Sequence, residues 1–300
     1  MKYISPTSLQ LFERDRELFY LQYLAFNRPP RPKQTQPMSI GSAFDAQIKS
    51  YITINMGLEG PSLEELFETQ VEPHNRDWAR IHGEYAFKSY MKSGAVLRLM
   101  SELEAATVTP RMEFTAKGES TIMGVPISGK PDLYYINKSG MPVIFDWKVN
   151  GYCSKGNTSP RKGYRLCCDG WDSGKHSRSN GLGHADASIL TLEEIEPSWS
   201  TQTTMYSWML GNEDRQEFMA SIDQLACKGG EYGDIRVASF RNPVSAEFQA
   251  KLVERLTTAW EAIKLGTVVS PAQAKVLDDT YKAYEGDSND PNEQWFRDNF

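Results

Sequence analysis

The segment from Gly129 to Gly151 constrains the fold more than any other part of the sequence. It contains two short runs of β-branched and aromatic residues, separated by the turn sequence Asn-Lys-Ser-Gly at 137–140. Runs of this kind, bounded by turn residues, are typical of β-strands, and a short turn between two strands favours an antiparallel hairpin. The sequence therefore predicts paired strands at Asp132–Ile136 and Pro142–Val149.

Charged residues occupy defined places on this hairpin. Asp132 begins the first strand and Asp146 lies near the end of the second, so antiparallel pairing brings the two carboxylates close together. Asp146 and Lys148 are two residues apart and therefore point to the same face, whereas Phe145 and Trp147 point to the other. The pattern predicts that two carboxylates and one ammonium group project together and that the apolar face is buried.

Two aspartates and a lysine in this arrangement suit the hydrolysis of a phosphodiester bond. Mg²⁺ prefers oxygen ligands and keeps several waters, so one or two carboxylates can hold it. A bound metal polarises a phosphoryl oxygen, and a lysine stabilises the negative charge that develops on the phosphate. We expect Asp132 and Asp146 to be catalytic metal ligands and Lys148 the catalytic cation, with Glu113 on the preceding strand as a further catalytic carboxylate.

The remaining sequence predicts helices around a small sheet. We expect one domain over 1–300, with a helical N-terminal part at 1–109, a catalytic core at 110–265 that carries an insertion at 151–199, and a C-terminal helix and tail at 266–300. Periodic apolar residues and turn signals predict the individual elements. Helices are expected at Thr7–Leu24, from Gly41 onward, and at Pro61–Thr69, Arg76–Met91, Val96–Ala106, Ser200–Leu210, Ala246–Lys264 and Ala272–Tyr284; further strands are expected at Met112–Thr115, Thr121–Ile127 and Asp234–Phe240, the first two forming a meander with the hairpin.

The hairpin residues resemble the signature of the PD-(D/E)XK nuclease superfamily. Pro131-Asp132 matches the PD element, and Asp146-Trp147-Lys148 matches the D-x-K element. This resemblance implies an α/β fold with a restriction-endonuclease-like core, in which a central mixed β-sheet is flanked by helices. It also implies a metal-dependent nuclease that uses Mg²⁺ or Mn²⁺, with the backbone carbonyl of Val149 as a further metal ligand.

Three other landmarks resemble the RecB-like branch of that superfamily. Gln202 and Tyr206 match its QxxxY motif, which implies contacts with the nucleic-acid strand, and residues 3–24 resemble its opening helix. Gly41 begins a segment that resembles the Gly-x-x-x-His motif, but Asp45 stands at the histidine position. Asp45 is an expected metal ligand. Because that histidine accompanies exonuclease activity in the branch, its replacement leaves an endonuclease or nickase as an alternative.

The resemblance implies a stand-alone exonuclease that acts on DNA, single-stranded or at duplex ends, in recombination, repair or phage DNA metabolism. A recombination or single-strand-binding protein is a candidate protein partner in addition to DNA. A non-catalytic nucleic-acid-binding adaptor is the other alternative, although a protein that only binds has no chemical need for Asp132, Asp146 and Lys148 together.

The insertion at 151–199 offers two further hypotheses. Its basic side chains, interleaved with Tyr164 and Trp171, suit a path for a single strand beside the site. A zinc site is the weaker hypothesis, since the insertion lacks a Cys-x-x-Cys pair. The candidate strand-binding residues are Arg161, Lys162 and Arg165, and the candidate zinc ligands are Cys153, Cys167, Cys168, His176 and His184.

Composition limits the class of protein but not its reaction. The sequence contains no run of about 18 apolar residues that would span a bilayer, and its charge-rich N-terminus does not resemble a signal peptide. We therefore expect a cytoplasmic protein without membrane contact. The formal net charge of −6 gives no sign of a globally basic nucleic-acid binder, but a basic groove is compatible with an acidic total.

Overall fold

The computed structural model describes residues 1–26, 28, 32–112, 118–150, 165–166, 192–212, 216–227 and 235–281. Helices dominate the first hundred residues, and strands alternate with helices thereafter. The helices are α1 Pro6–Arg14, α2 Arg16–Phe19, α3 Gln36–Asn55, α4 Leu63–Gln70, α5 Arg76–Lys92, α6 Ala95–Glu104, α7 Leu192–Ile195, α8 Pro197–Met209, α9 Ala246–Lys264 and α10 Pro271–Tyr281, with a π-helical turn at Tyr20–Leu24 and a 3-10 turn at Pro73–Asn75. The strands are β1 Arg111–Met112, β2 Gly118–Ile122, β3 Val125–Gly129, β4 Leu133–Ile136, β5 Pro142–Asn150, β6 Arg165–Leu166, β7 Met219–Cys227 and β8 Ile235–Pro243.

A mixed sheet forms the centre of the described structure. Its strand order is β1-β4-β5-β7-β8-β6, and β5 runs parallel to β7 while the other neighbours are antiparallel. A parallel pair needs a crossover connection, and α8 lies in the connection between β5 and β7. The predicted α/β architecture, with a mixed sheet flanked by helices, is confirmed.

Both faces of β5 are covered. Phe145 and Trp147 pack with Phe44 and Ile48 of α3 in one core cluster. Ile144, on the other face, packs in a second cluster that includes residues of α1, α8 and α9. The expectation that the apolar face is buried is therefore confirmed, but the face that carries Asp146 also lies beneath a helix.

Several predicted elements differ from the observed ones. The expected helix at Thr7–Leu24 is interrupted at Asp15, whose extended backbone ends α1 while its side chain caps α2 by accepting from the backbone N–H of Leu18 at 2.9 Å. The second helix begins at Gln36, before Gly41, because Pro37 lies in its first turn, where a missing N–H costs nothing. Helix α8 begins at Pro197, inside the predicted insertion.

The predicted strand at Thr121–Ile127 is wrong. The chain turns back within it at Met123 and Gly124, both with positive φ, so β2 and β3 form a separate antiparallel hairpin. This hairpin is not part of the main sheet, in which β4 pairs with β1 and β5. The expected meander of adjacent strands is therefore also wrong. The N-terminal segment extends the hairpin instead, since the Ile4 N–H donates to the Pro126 carbonyl at 2.9 Å.

Strand β7 was not predicted, although it is an interior strand of the sheet. Its sequence includes Ser221, Asp223 and Gln224, all of which are buried, and this polar content concealed the strand. Among the described residues, no helix combines the length and apolar character needed to cross a membrane.

Close packing of α3 on α5 yields a test of this architecture. A Cβ at Gly83 of α5 would lie 2.4 Å from the Ala43 Cβ of α3, whereas a Cβ at Gly41 would meet nothing within 4 Å. We expect Gly83→Ala to lower the free energy of unfolding by about 1–3 kcal/mol through overpacking. Gly41→Ala, the matched control, is expected to be neutral or to stabilise by up to about 1 kcal/mol through helix propensity. Chemical denaturation measures both, and equal effects at the two positions would contradict the packing.

Candidate active site

The site begins on β5, whose pleat directs Asp146 and Lys148 towards α8. The Asp146 side chain is 4% exposed, and the Lys148 side chain is 20% exposed. The Lys148 Nζ lies 2.6 Å from the Asp146 Oδ2. The charged pair therefore has its carboxylate inside the protein and its ammonium group at the edge of solvent.

Asp132 joins this pair through the pairing of β4 with β5. Leu133 is opposite Phe145, so Asp132 lies beside Asp146, as the hairpin sequence predicted. The Asp132 Oδ2 accepts a hydrogen bond from the Trp147 backbone N–H at 3.1 Å. This bond fixes the carboxylate at the end of β4, with its side chain 20% exposed.

Gln202 of α8 connects the two charges on β5. Its Nε2 donates to the Asp146 Oδ1 at 3.0 Å and to the Tyr206 hydroxyl oxygen at 3.0 Å. Its Oε1 accepts from the Lys148 Nζ at 2.8 Å. Gln202 therefore orients the carboxylate and the ammonium group at the same time.

Tyr206 reaches this position because Gly129 has no side chain. A Cβ at Gly129 would lie 2.3 Å from the Tyr206 Cε1. Burial, and secondarily the charge of Asp146, raises the pKa of Tyr206 well above its usual value, so the phenol stays protonated. The sequence pattern identified Gln202 and Tyr206, but it did not indicate the glycine that makes room for the ring.

The electrostatics of the site are dominated by the burial of Asp146. Burial raises the pKa of its carboxyl to about 7, an effect that the positive charge of Lys148 opposes and the negative charge of Asp132 reinforces. The Asp146 Oδ2 is buried and is paired with the Lys148 ammonium group, yet the effect of burial on the pKa exceeds the effect of that pairing. The ionised carboxylate is therefore incompletely compensated.

Lys49 of α3 is a component that the sequence did not reveal. Its side chain is 0% exposed, and its Nζ lies 2.5 Å from the Asp45 Oδ2 and 3.6 Å from the Asp132 Oδ1. The Asp45 Oδ2 also accepts from the Gln70 Nε2 at 2.9 Å. Asp45, an expected metal ligand, thus reaches the site region, but its carboxylate contacts the ammonium group of Lys49.

The remaining predicted site residues are placed as follows. Val149 follows Lys148 in β5 and is partly buried against the cluster that contains Phe145. Arg165 is in β6, which pairs with β8 at the edge of the main sheet. Glu113, Arg161, Lys162 and the predicted zinc ligands of the insertion lie outside the described residues.

A buried ionic network lies on the opposite face of the sheet. Asp223 of β7 accepts hydrogen bonds from the Tyr90 hydroxyl, from the Ser239 Oγ at 2.5 Å and from the Arg241 Nη1 at 2.9 Å. The Trp147 indole N–H donates to the Tyr90 oxygen at 3.2 Å. Trp147, which lies between Asp146 and Lys148 in β5, is thus bonded to this network. The sequence did not indicate the network because its members are far apart in the chain.

Comparison with known proteins identifies the family. The sequence profile of the PD-(D/E)XK nuclease superfamily matches residues 3–163. The chain belongs to the PD-(D/E)XK nuclease superfamily. No curated protein matches the sequence. Among solved structures, the crystal structure of SSO0001 superposes with a TM-score of 0.26 and 10% identity, covering 88% of this chain and 96% of the other.

PD-(D/E)XK nucleases generally use divalent metals, and the residues of this site fit such an ion. Asp132 and Asp146 offer hard oxygen donors, which Mg²⁺ and Mn²⁺ prefer. The buried Asp146 Oδ2 forms an ion pair with the Lys148 Nζ at 2.6 Å, and a carboxylate oxygen has a second lone pair that a metal ion would use. In the described part of the chain no three His, Cys, Asp or Glu side chains form a metal-binding group, so the fit rests on two carboxylates.

Asp146 and Asp223 are both buried, but we expect their replacement by asparagine to change the stability of this PD-(D/E)XK chain in opposite directions. Because the pKa of Asp146 rises from 3.8 to about 7 on folding, folding favours the protonated form and stability falls as the pH rises through that interval. In EDTA at pH 8, we expect Asp146→Asn to stabilise the protein by about 2–4 kcal/mol. The gain should vanish below about pH 4, where both side chains are neutral.

Asp223→Asn is the matched control, on the neighbouring strand. It removes the carboxylate nearest to Arg241, whose side chain is 24% exposed, and leaves that guanidinium with the more distant Glu102 carboxylate, whose Oε2 lies 3.9 Å from the Arg241 Nε. We therefore expect a loss of about 2–3 kcal/mol. Denaturant titrations at pH 4 and pH 8 measure both variants. A destabilising effect of Asp146→Asn at pH 8 would contradict the account of uncompensated charge.

Proposed function

We propose that this chain is a DNA nuclease that hydrolyses phosphodiester bonds with Mg²⁺ or Mn²⁺ and acts as an exonuclease in DNA recombination, repair or phage DNA metabolism, in the cytoplasm. The observation that carries the proposal is the convergence of Asp132, Asp146 and Lys148, with Gln202 bonded to both members of the charged pair. Membership of the nuclease superfamily supports the same chemistry.

The proposed roles follow from burial and contact. Asp132 and Asp146 would hold the metal, which when bound supplies Lewis-acid polarisation of the scissile phosphate and activation of water. Lys148 has three ammonium protons, and its contacts with Gln202 and Asp146 leave one for a phosphate oxygen. Because Lys148 and Asp132 are each 20% exposed, the substrate would approach from their side of the site.

Gln202 would maintain the geometry of this pair during the reaction. Its amide donates to Asp146 and accepts from Lys148, so each side chain is fixed with respect to the other before substrate binds. Preorganised groups of this kind contribute to catalysis because they need no rearrangement when charge develops in the transition state. Trp199 adds a second contact, since the Lys148 Nζ lies 5.9 Å from the centre of its ring.

The decisive experiment measures cleavage of end-labelled linear duplex DNA, linear single-stranded DNA, linear RNA and closed circular DNA with Mg²⁺, Mn²⁺ or EDTA. We expect metal-dependent loss of linear DNA, and rates reduced at least ~100-fold in Asp146→Asn and Lys148→Met. Lys88→Met is the matched control, because Lys88 forms an exposed pair with Glu84 at 2.6 Å.

Each departure from this pattern has a distinct meaning. Cleavage of circular DNA would replace the exonuclease with an endonuclease or nickase. Preferential loss of RNA would change the substrate class. Binding of DNA without cleavage in either Mg²⁺ or Mn²⁺ would show that the protein is the non-catalytic adaptor and not a nuclease.

A further inference from the structure

Lys49 is a fully buried lysine beside the candidate active site. Transfer of an ammonium group from water to a protein interior is costly unless the charge is paired. Lys49 is 0% exposed, and its Nζ contacts Asp45 at 2.5 Å and approaches Asp132 at 3.6 Å. The cation therefore lies between a carboxylate of α3 and a carboxylate that the proposed function assigns to the metal.

Lys49 is held on a rigid part of the fold. Asp45 lies one helical turn before it in α3 and is itself fixed by the Gln70 Nε2 at 2.9 Å. Gly83 of α5 packs against Ala43, so closely that a Cβ would collide there. Helix packing thus positions the backbone that carries Lys49, and the ion pair with Asp45 positions its ammonium group.

We propose that the ammonium group of Lys49 takes the place of a second divalent cation, so that this site binds one metal ion. This inference rests on the proposed function, in which Asp132 and Asp146 hold the metal. Two-metal phosphodiesterases hold their ions about 3.5–4 Å apart, bridged by shared ligands. A second ion between Asp45 and Asp132 would need the space and the carboxylate oxygens that Lys49 already uses.

The charges of the site agree with a single ion. The three carboxylates of Asp45, Asp132 and Asp146 and the two ammonium groups of Lys49 and Lys148 leave one net negative charge. One divalent ion brings this set to a single positive charge, which suits a phosphodiester, whereas two ions would accumulate three. Asp45 would then be a positioning residue for Lys49 and not a ligand of the metal.

The test counts bound Mn²⁺ by isothermal titration calorimetry and by electron paramagnetic resonance of the unbound ion. We expect one Mn²⁺ per chain in the unmodified protein. Lys49→Met removes the charge at similar length and is expected to bind two, because Asp45 and Asp132 are then available to a second ion. The double variant Lys49→Met/Asp45→Asn is expected to return to one, since the second site has lost a carboxylate.

Two further measurements keep the test independent of folding defects. Lys88→Met removes an exposed lysine that also pairs with a carboxylate four residues away, and should bind one Mn²⁺. Lys49→Met should melt at a lower temperature than the unmodified protein in EDTA and recover more of its melting temperature on addition of Mn²⁺. The double variant, which leaves no single buried charge at this pair, should be less destabilised than Lys49→Met.

The outcomes separate this inference from the proposed function. Two Mn²⁺ in the unmodified protein, together with DNA cleavage that Asp146→Asn abolishes, would overturn the role of Lys49 and leave the nuclease intact. A single Mn²⁺ in a folded Lys49→Met protein would also overturn it. Absence of both Mn²⁺ binding and cleavage from the unmodified protein would overturn both proposals.

Discussion

The burial of Asp146 is the constraint on which the rest of the site depends. A carboxylate at this position loses most of its hydration, and the charge is tolerable only where cations and donors surround it. Lys148 and Gln202 contact this carboxylate directly, and the positive charge of Lys49 in α3 acts on it electrostatically. The placement of α8 over one face of β5, and of α3 over the other, therefore serves the electrostatics of one side chain as well as the core.

The hairpin that carries Asp132 and Asp146 could be predicted because its determinants are local. Two strands, a short turn and the alternation of side chains suffice to place Asp146 and Lys148 on one face and Asp132 beside them. The same reasoning failed for β2 and β3, where Met123 adopts a positive φ that few residues other than glycine favour. It also failed for β7, whose buried Asp223 and Gln224 obscure the apolar pattern of an interior strand.

Lys49 illustrates a different limit of sequence reasoning. A single lysine in an amphipathic helix ordinarily belongs to the solvated face, and nothing in the local pattern distinguishes one that is buried beside distant carboxylates. Its neighbour Asp132 is more than eighty residues away in the chain, and only the packing of α3 beside β5 brings them together. The Gly-x-x-x-His motif drew attention to Asp45 because Asp45 stands at the histidine position. The motif gave no indication of Lys49, whose ammonium group contacts the Asp45 carboxylate.

The parallel pairing of β5 with β7 has a consequence for how the site assembles during folding. The hairpin can form early because its strands are adjacent, but Gln202 is 54 residues beyond Lys148 and 56 beyond Asp146. Contacts of such long sequence separation form slowly because a large loop must be closed first. During folding, the hairpin with Asp132 and Asp146 is thus expected to form before α8 packs over it and before Gln202 contacts Asp146. The acidic groups therefore reach their final arrangement only after α8 has packed against β5.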